Sequence, residues 1–277
     1  MLPTEIQILN PSLSTDQRTL TLLLDHGHVN EMGSEQLKAW EYLSQFLQKG
    51  EIRTLITTSQ KKSKRGKSIF IAGANVKERA GWHEDQVCAH VRWQRRILKS
   101  LRSCPVFHIC IVDGMALGWG LEFLLTADYR LTTPLSNFGL PETSLGIIPG
   151  AGGTSDLWQE VGIAHALRLG MTGERIDATE AIRIGLCQEI FSEWSLAMER
   201  AQRLARAVSK NSPTAVSSFK SALLGSIGSE ISHRESLETL AYEHCVHTGE
   251  AAIGRAHFGS KEPTPWGTLH IFESDST

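Results

Sequence analysis

Val106-Phe-His-Ile-Cys-Ile-Val-Asp-Gly-Met-Ala-Leu-Gly-Trp-Gly-Leu-Glu122 is the stretch that decides how this chain folds. Its first seven residues are almost continuously apolar, as expected of a strand in a sheet buried on both faces. Gly114, Gly118 and Gly120 then let the backbone turn and come close to a ligand. Gly114 to Ala127 reads as a turn followed by a helix. The first N–H groups of that helix have no partner within it and lie at the positive end of its dipole, so they suit an oxyanion.

A second carboxylate follows twenty residues later in Leu140-Pro-Glu142-Thr-Ser-Leu-Gly-Ile-Ile-Pro-Gly-Ala-Gly-Gly-Thr154. Two glutamates, each beside a glycine-rich turn, are what acid/base chemistry on a small substrate needs. One gives a proton while the other activates a water. Glu122 has a plainer reading as a helix-dipole residue, but burying a carboxylate within Leu-Glu-Phe-Leu-Leu is costly without a partner or a purpose. Glu142, after Pro141, has a plainer reading as a first-turn helix glutamate.

Outward from this centre the pattern is strands and helices in alternation. Arg18 to Asp25 reads as a buried strand. Ser34 starts a helix with apolar positions Leu37, Trp40, Leu43 and Leu47, stopped at Gly50. Ile52 to Ile56 and Ser68 to Ala72 read as strands, separated by a basic loop, Gln60 to Lys67. Helical spacing returns from His83 to Arg102 through Val87, Val91, Ile97, Leu98 and Leu101, and Tyr129 to Thr133 is a short strand. Beyond Thr154 strand signals fade, and amphipathic helices are predicted over 178–184, 194–208, 213–224 and 235–246. Past Lys261 the chain reads as an irregular tail. The expected organisation is a core over 1–192 and a helical region over 193–277.

The 277 residues suffice for one full α/β domain with a helical appendage. Composition is that of an ordinary globular protein, 41% apolar and 21% charged, and a net charge of −2 gives no general attraction to nucleic acid or membrane. No apolar run approaches the ~20 residues of a membrane span. The N-terminal residues lack the features of a signal or transit peptide. Five scattered cysteines read as reduced core residues, so a cytoplasmic location is expected.

Four stretches in order resemble the crotonase superfamily of enoyl-CoA hydratases and isomerases. They are Phe70-Ile-Ala-Gly-Ala-Asn-Val-Lys-Glu78, Asp113 to Glu122, Phe138 to Thr154, and Thr172-Gly-Glu-Arg-Ile-Asp-Ala-Thr-Glu-Ala-Ile-Arg-Ile-Gly-Leu186. Fainter likeness extends to Asn30 on one side and to Phe258 and Lys261 on the other. The resemblance implies a crotonase-like spiral of ββα units, with C-terminal helices that build trimers or a hexameric dimer of trimers. It implies an acyl-CoA substrate whose thioester oxygen is gripped by the N–H groups of Ala74 and Trp119. Ala72, Gly73, Asn75, Val76, Lys77, Gly118 and Gly120 complete the implied binding turns, and Glu122 and Glu142 are the implied catalytic carboxylates. No metal or redox cofactor is implied, because coenzyme A is part of the substrate.

Both glutamates at the family's spacing favour hydration of a 2-enoyl thioester. Double-bond isomerisation, with one base shuttling one proton, stays open, as does polyketide-type dehydration or decarboxylation. A non-catalytic or RNA-binding relative is the reading of another class. Trp119 departs from the family's usual glycine, and a side chain there disfavours a positive φ. Its ring either packs into the fold or narrows the acyl pocket. The pocket is the expectation, since the turn's backbone faces the ligand. Lys77 stands where the family often places a lysine near the coenzyme's phosphates, and Asn75 replaces an aspartate as a turn cap. Lys61 to Lys67 carries five basic residues in seven positions, which reads as a solvated loop rather than an RNA site, without interleaved aromatics. His244 and His247 share a helix face but lack a third ligand at a recognisable spacing.

Overall fold

Through the middle of the chain successive strands alternate between two sheets, so the chain advances as a spiral. A computed structural model describes residues 2–273. A short hairpin strand β1 (Pro11–Leu13) leads into β2 (Thr19–Leu23), then helix α1 (Ser34–Leu47) and β3 (Thr54–Thr58). The next turn of the spiral holds β4 (Lys61–Lys62), β5 (Ser68–Ile71) and α2 (Glu84–Arg102), and the one after it β6 (Phe107–Val112), β7 (Met115–Leu117) and α3 (Trp119–Leu124). Then come β8 (Tyr129–Thr132), β9 (Asn137–Gly139), α4 (Leu157–Val161), α5 (Ile163–Thr172), β10 (Arg175–Asp177), α6 (Ala178–Arg183) and β11 (Glu189–Ile190). Four helices close the chain: α7 (Trp194–Ser209), α8 (Pro213–Gly225), α9 (Ile231–His247) and α10 (Glu250–Ala256).

One sheet has the order β1-β2-β3-β6-β8-β11 and the other β10-β9-β7-β5-β4. From β2 to β11 the first sheet is parallel, and in the second β5, β7 and β9 run parallel to one another. This is the expected ββα spiral, with continuous apolar strands because both faces are covered. The main core lies among the sheets, α1 and α2, around Trp40, Phe70, Phe123 and Phe138. A second cluster joins Ile56, Ile109, Ile111 and Leu131 to Ala197 and Ala201 of α7.

Helix α1 forms where the apolar spacing predicts it, burying Leu37, Trp40, Leu43 and Leu47. The Ser34 N–H at its start donates to the Glu78 carboxylate at 2.9 Å. Strand β3 runs two residues later than the sequence suggests, and α9 begins at Ile231 rather than 235. The fading of strands beyond Thr154 needs correction, since β10 and β11 lie there. The basic loop is partly a hairpin: β4 pairs antiparallel with β5, and Lys61 Nζ donates to Asp25 at 2.5 Å. The tail has no regular structure through residue 273 but lies against the C-terminal helices. Trp266 Nε1 donates to the Lys210 carbonyl and the His270 N–H to Thr214 Oγ1. His244 Nε2 sits 3.1 Å from the His270 carbonyl, in a tail contact.

Candidate active site

Three neighbouring parallel strands deliver the site. In register, Ile71 of β5 lies beside Ala116 of β7, and Leu117 of β7 beside Gly139 of β9. Their C-terminal ends therefore release three turns along one edge. The first carries Ala72 to Lys77, the second Gly118 to Gly120, and the third Pro141 and Glu142.

The first turn is held by a strap that precedes α1. The Ala72 N–H donates to the Val29 carbonyl, the Asn75 N–H to that of Met32, and the Met32 N–H to that of Gly73. Asn30, fully buried at φ 53°, fixes the strap through Nδ2 to the carbonyls of Leu24 and Phe70 and to Ser59 Oγ, while its Oδ1 accepts from the His26 N–H. These bonds use the N–H groups of Ala72 and Asn75 and leave those of Gly73 and Ala74 without an acceptor among the described residues. Asn75 Oδ1 accepts from the Glu78 N–H, the turn cap expected of it. Val76 and Lys77 are exposed beyond the turn.

In the second turn the unusual conformation falls on Gly118, at φ 53° and ψ −122°. A Cβ there would lie 2.6 Å from Glu142 Oε1, and one on Gly120 would collide with the Ile71 carbonyl. Trp119, between them, begins α3 and has no positive φ, so a side chain is tolerated at the one position of the three that does not demand glycine. Its N–H, at the first helical position, has no acceptor among the described residues.

The expectation that the Trp119 ring narrows the acyl pocket is corrected by its packing. The residue is 2% exposed and its ring stacks on Phe123, with centroids 5.5 Å apart. Phe123 in turn meets Trp40 at 4.7 Å and His108 at 5.8 Å. One helical turn separates residues 119 and 123, so the indole follows the helix face into the core.

Glu122 is 3% exposed. Its Oε1 accepts from the N–H groups of Ala151 at 2.7 Å and Gly153 at 3.0 Å. The loop making this clamp is fixed by the Arg95 Nε bond to the Gly150 carbonyl and by the Arg102 ion pair to Asp156. Burial raises the Glu122 pKa, and the two N–H donors oppose that shift. Ala151 and Gly153 escape the sequence reading as site residues. Their signal, Pro149-Gly-Ala-Gly-Gly153, is visible, but its purpose of wrapping a carboxylate is not. Glu122 borders a cavity of about 390 Å³ between α2, the clamp loop, α4 and the end of α8, with Leu98, Leu125 and Ile227 in its wall.

Glu142 is held differently. Its Oε2 is buried with no hydrogen-bond partner. Burial, aided by the Glu122 charge, lifts its pKa to about 7. The site thus pairs a carboxylate tied by backbone donors with one poised to be neutral near physiological pH. Lys61 to Lys67 is not part of it. The antiparallel β4–β5 register puts the tip of that hairpin at the end of β5 opposite Ala72.

Comparison with known proteins gives the family and agrees with the fold. Residues 35–268 match the enoyl-CoA hydratase/isomerase family model, and the chain belongs to that family. Bacillus subtilis YngF, which bears the family's name, is 36% identical over 233 residues, or 84% of this chain and 87% of that one. Rat mitochondrial methylglutaconyl-CoA hydratase is 32% identical over 216 residues, covering 77% of this chain and 67% of its own length. The crystal structure of enoyl-CoA hydratase from Bacillus anthracis superposes with a TM-score of 0.84 at 31% identity, covering 93% of this chain and 98% of that one.

Proposed function

We propose that the protein is a hydratase that adds water across the double bond of a 2-enoyl-CoA thioester. The observation that carries this reading is the unequal treatment of two neighbouring carboxylates. Glu122 has one oxygen fixed by two N–H donors, and Glu142 has a buried oxygen with no partner and a pKa near 7.

In this reading the thioester oxygen lies between the N–H groups of Ala74 and Trp119. Ionised Glu122 takes a proton from water as the water oxygen bonds to C3. The π electrons move to an enolate whose oxygen is stabilised by the two N–H donors, each worth ~3–4 kcal/mol of barrier. Glu142, protonated, gives its proton to C2. The exchange leaves Glu122 protonated and Glu142 ionised, and solvent restores both. Ala72, Gly73, Gly118 and Gly120 shape the turns, and exposed Lys77 meets the coenzyme's phosphates in this reading. No step in this scheme calls on a metal or redox cofactor. Isomerisation would use one carboxylate, leaving the clamp on Glu122 without a chemical role.

The test is loss of enoyl-thioester absorbance on a short 2-enoyl-CoA. Glu122→Gln and Glu142→Gln are each expected to slow it by at least about 100-fold with the fold intact. Near-normal hydration by either variant defeats the two-carboxylate scheme, and faster double-bond migration on a 3-enoyl ester would favour an isomerase.

A further inference from the structure

Helix α2 grips the loop that clamps Glu122 at two places, one helical turn apart. Val91 packs so closely on Gly150 that a Cβ there would lie 2.5 Å from it. Arg95, four residues on and on the same face, donates from Nε to the Gly150 carbonyl at 2.9 Å. That carbonyl and the Ala151 N–H belong to one peptide unit, which is planar and trans. The two point in opposite directions, so a donor fixed on the oxygen also fixes the line of the N–H. On the far side the Ala151 N–H reaches Glu122 Oε1 at 2.7 Å, the shorter of the two bonds that hold it. A cation thus stands behind the donor, one rigid peptide away from the carboxylate. Hydrogen bonds in such a chain polarise one another, and a charged donor at its head strengthens the next bond.

The other charges around Glu122 do not duplicate this. The cavity beside it is bordered by Arg95, Lys99 and Arg102 of α2 and by Asp156 of the clamp loop, while Leu224 and Ile227 at the end of α8 are apolar. Arg102 is ion-paired to Asp156. Glu142, after β9, is the second carboxylate within reach of the Glu122 charge. Burial pushes the Glu122 pKa up, the N–H donors of Gly153 and Ala151 and then the Arg95 charge oppose it, and Asp156 adds to it.

We propose that Arg95 is a positioning residue for Glu122: across the Gly150–Ala151 peptide it steadies the N–H that holds this carboxylate and sets a positive charge behind it. Its part in catalysis rests on Glu122 being the base of the hydration described above. Arg95 bonds to the loop and not to the carboxylate. Its side chain is exposed, so solvent screens part of its charge.

Difference infrared titration reads Glu122 directly, through the carboxyl band that Glu122→Gln removes. A Glu142→Gln background keeps a second carboxylate from titrating with it. Arg95→Met should raise the midpoint by about half a pH unit, allowing for screening. Arg95→Lys, which keeps the charge, should raise it less. Lys99→Met, which removes an equal charge from the same cavity, should barely move it. Unchanged melting temperatures certify the fold. An Arg95→Met midpoint at the parent value, or a Lys99→Met shift as large, overturns the assignment. With both glutamates in place, the acid limb of kcat/KM for crotonyl-CoA hydration should move up in step in Arg95→Met, while rates on the alkaline side of that limb nearly agree. A uniform loss at every pH is the mark of a displaced loop and overturns the assignment as well. A shifted midpoint in a protein that does not hydrate crotonyl-CoA upholds the link from Arg95 to Glu122 and sinks the hydratase.

Discussion

Trp119 shows how a family position absorbs an unfamiliar side chain. The strained backbone sits on Gly118 and the tight approach on Gly120, so the residue between them is free to send a large ring into the core. Trp119→Gly should therefore cost ~3–5 kcal/mol of stability through the cavity it leaves. Its preference among acyl chain lengths should stay as it was. A variant of unchanged melting temperature that accepts longer chains would contradict this packing. Glu142 carries the pH behaviour. Its folded pKa of about 7 lies above its ordinary value of 4.5. Both states are protonated below 4.5. Between 4.5 and 7 the unfolded chain gives up its proton while the folded one retains it, so stability falls across that window. The buried histidines His26, His90 and His108, whose pKa values are lowered by burial, act alike in both proteins, so the urea midpoint of the parent should fall relative to that of Glu142→Gln from pH 5 to pH 8. If Glu142 is the proton donor, kcat/KM falls as pH rises through about 7. A rate that climbs through that range would assign it the opposite role.

At the scale of elements, long segments were legible and short ones were not. Helices α1, α2 and α7 span enough turns for their apolar spacing to show, and β6 reads as a strand because it is apolar throughout. Strands β9, β10 and β11 are two or three residues long, too short for any period. Helix α5 escaped for another reason: Ile163, Leu167 and Met171 form a regular stripe, but it faces outward. The turns of the site were legible as glycine-rich motifs and by resemblance, whereas the strap that holds the first of them was not. Asn30 was visible only as a faint family likeness, since nothing local in the sequence says that its amide reaches residues forty positions away. Asn30→Ala should cost about 2–3 kcal/mol, because it orphans several buried groups together. It should also lower kcat on an enoyl-CoA, because the Ala74 N–H loses its support. Full activity in a destabilised variant would show that the turn holds without the strap.

Among the described residues, two apolar surfaces stand uncovered. One is the outward stripe of α5 with Ile148 and Trp158, which are also exposed. The other is a groove of about 530 Å³ along α8 and α9, lined by Phe219, Leu223 and Tyr242, where Phe219 is 70% and Tyr242 71% exposed. Contiguous exposed apolar patches mark association surfaces. Because they differ, contact between one and the other is heterologous and closes only as a ring. A homotrimer, or two stacked, is the expected state. Light scattering should show at least three chains per particle at micromolar concentration, and Phe219→Asp with Leu223→Asp should dissociate it. A stable monomeric parent would exclude this assembly.

In the proposed reaction, the groups that hold Glu122 and those that would meet the oxyanion share one property: all are main-chain amides, from Ala151, Gly153, Ala74 and Trp119. A scan that trims side chains one by one leaves every one of them in place. Such a scan would point to the two glutamates and to packing, and pass over the parts that fix the base and steady the developing charge. Only replacements that alter the chain itself, a proline at 151 or an ester in place of the amide at 74, would bring them to view.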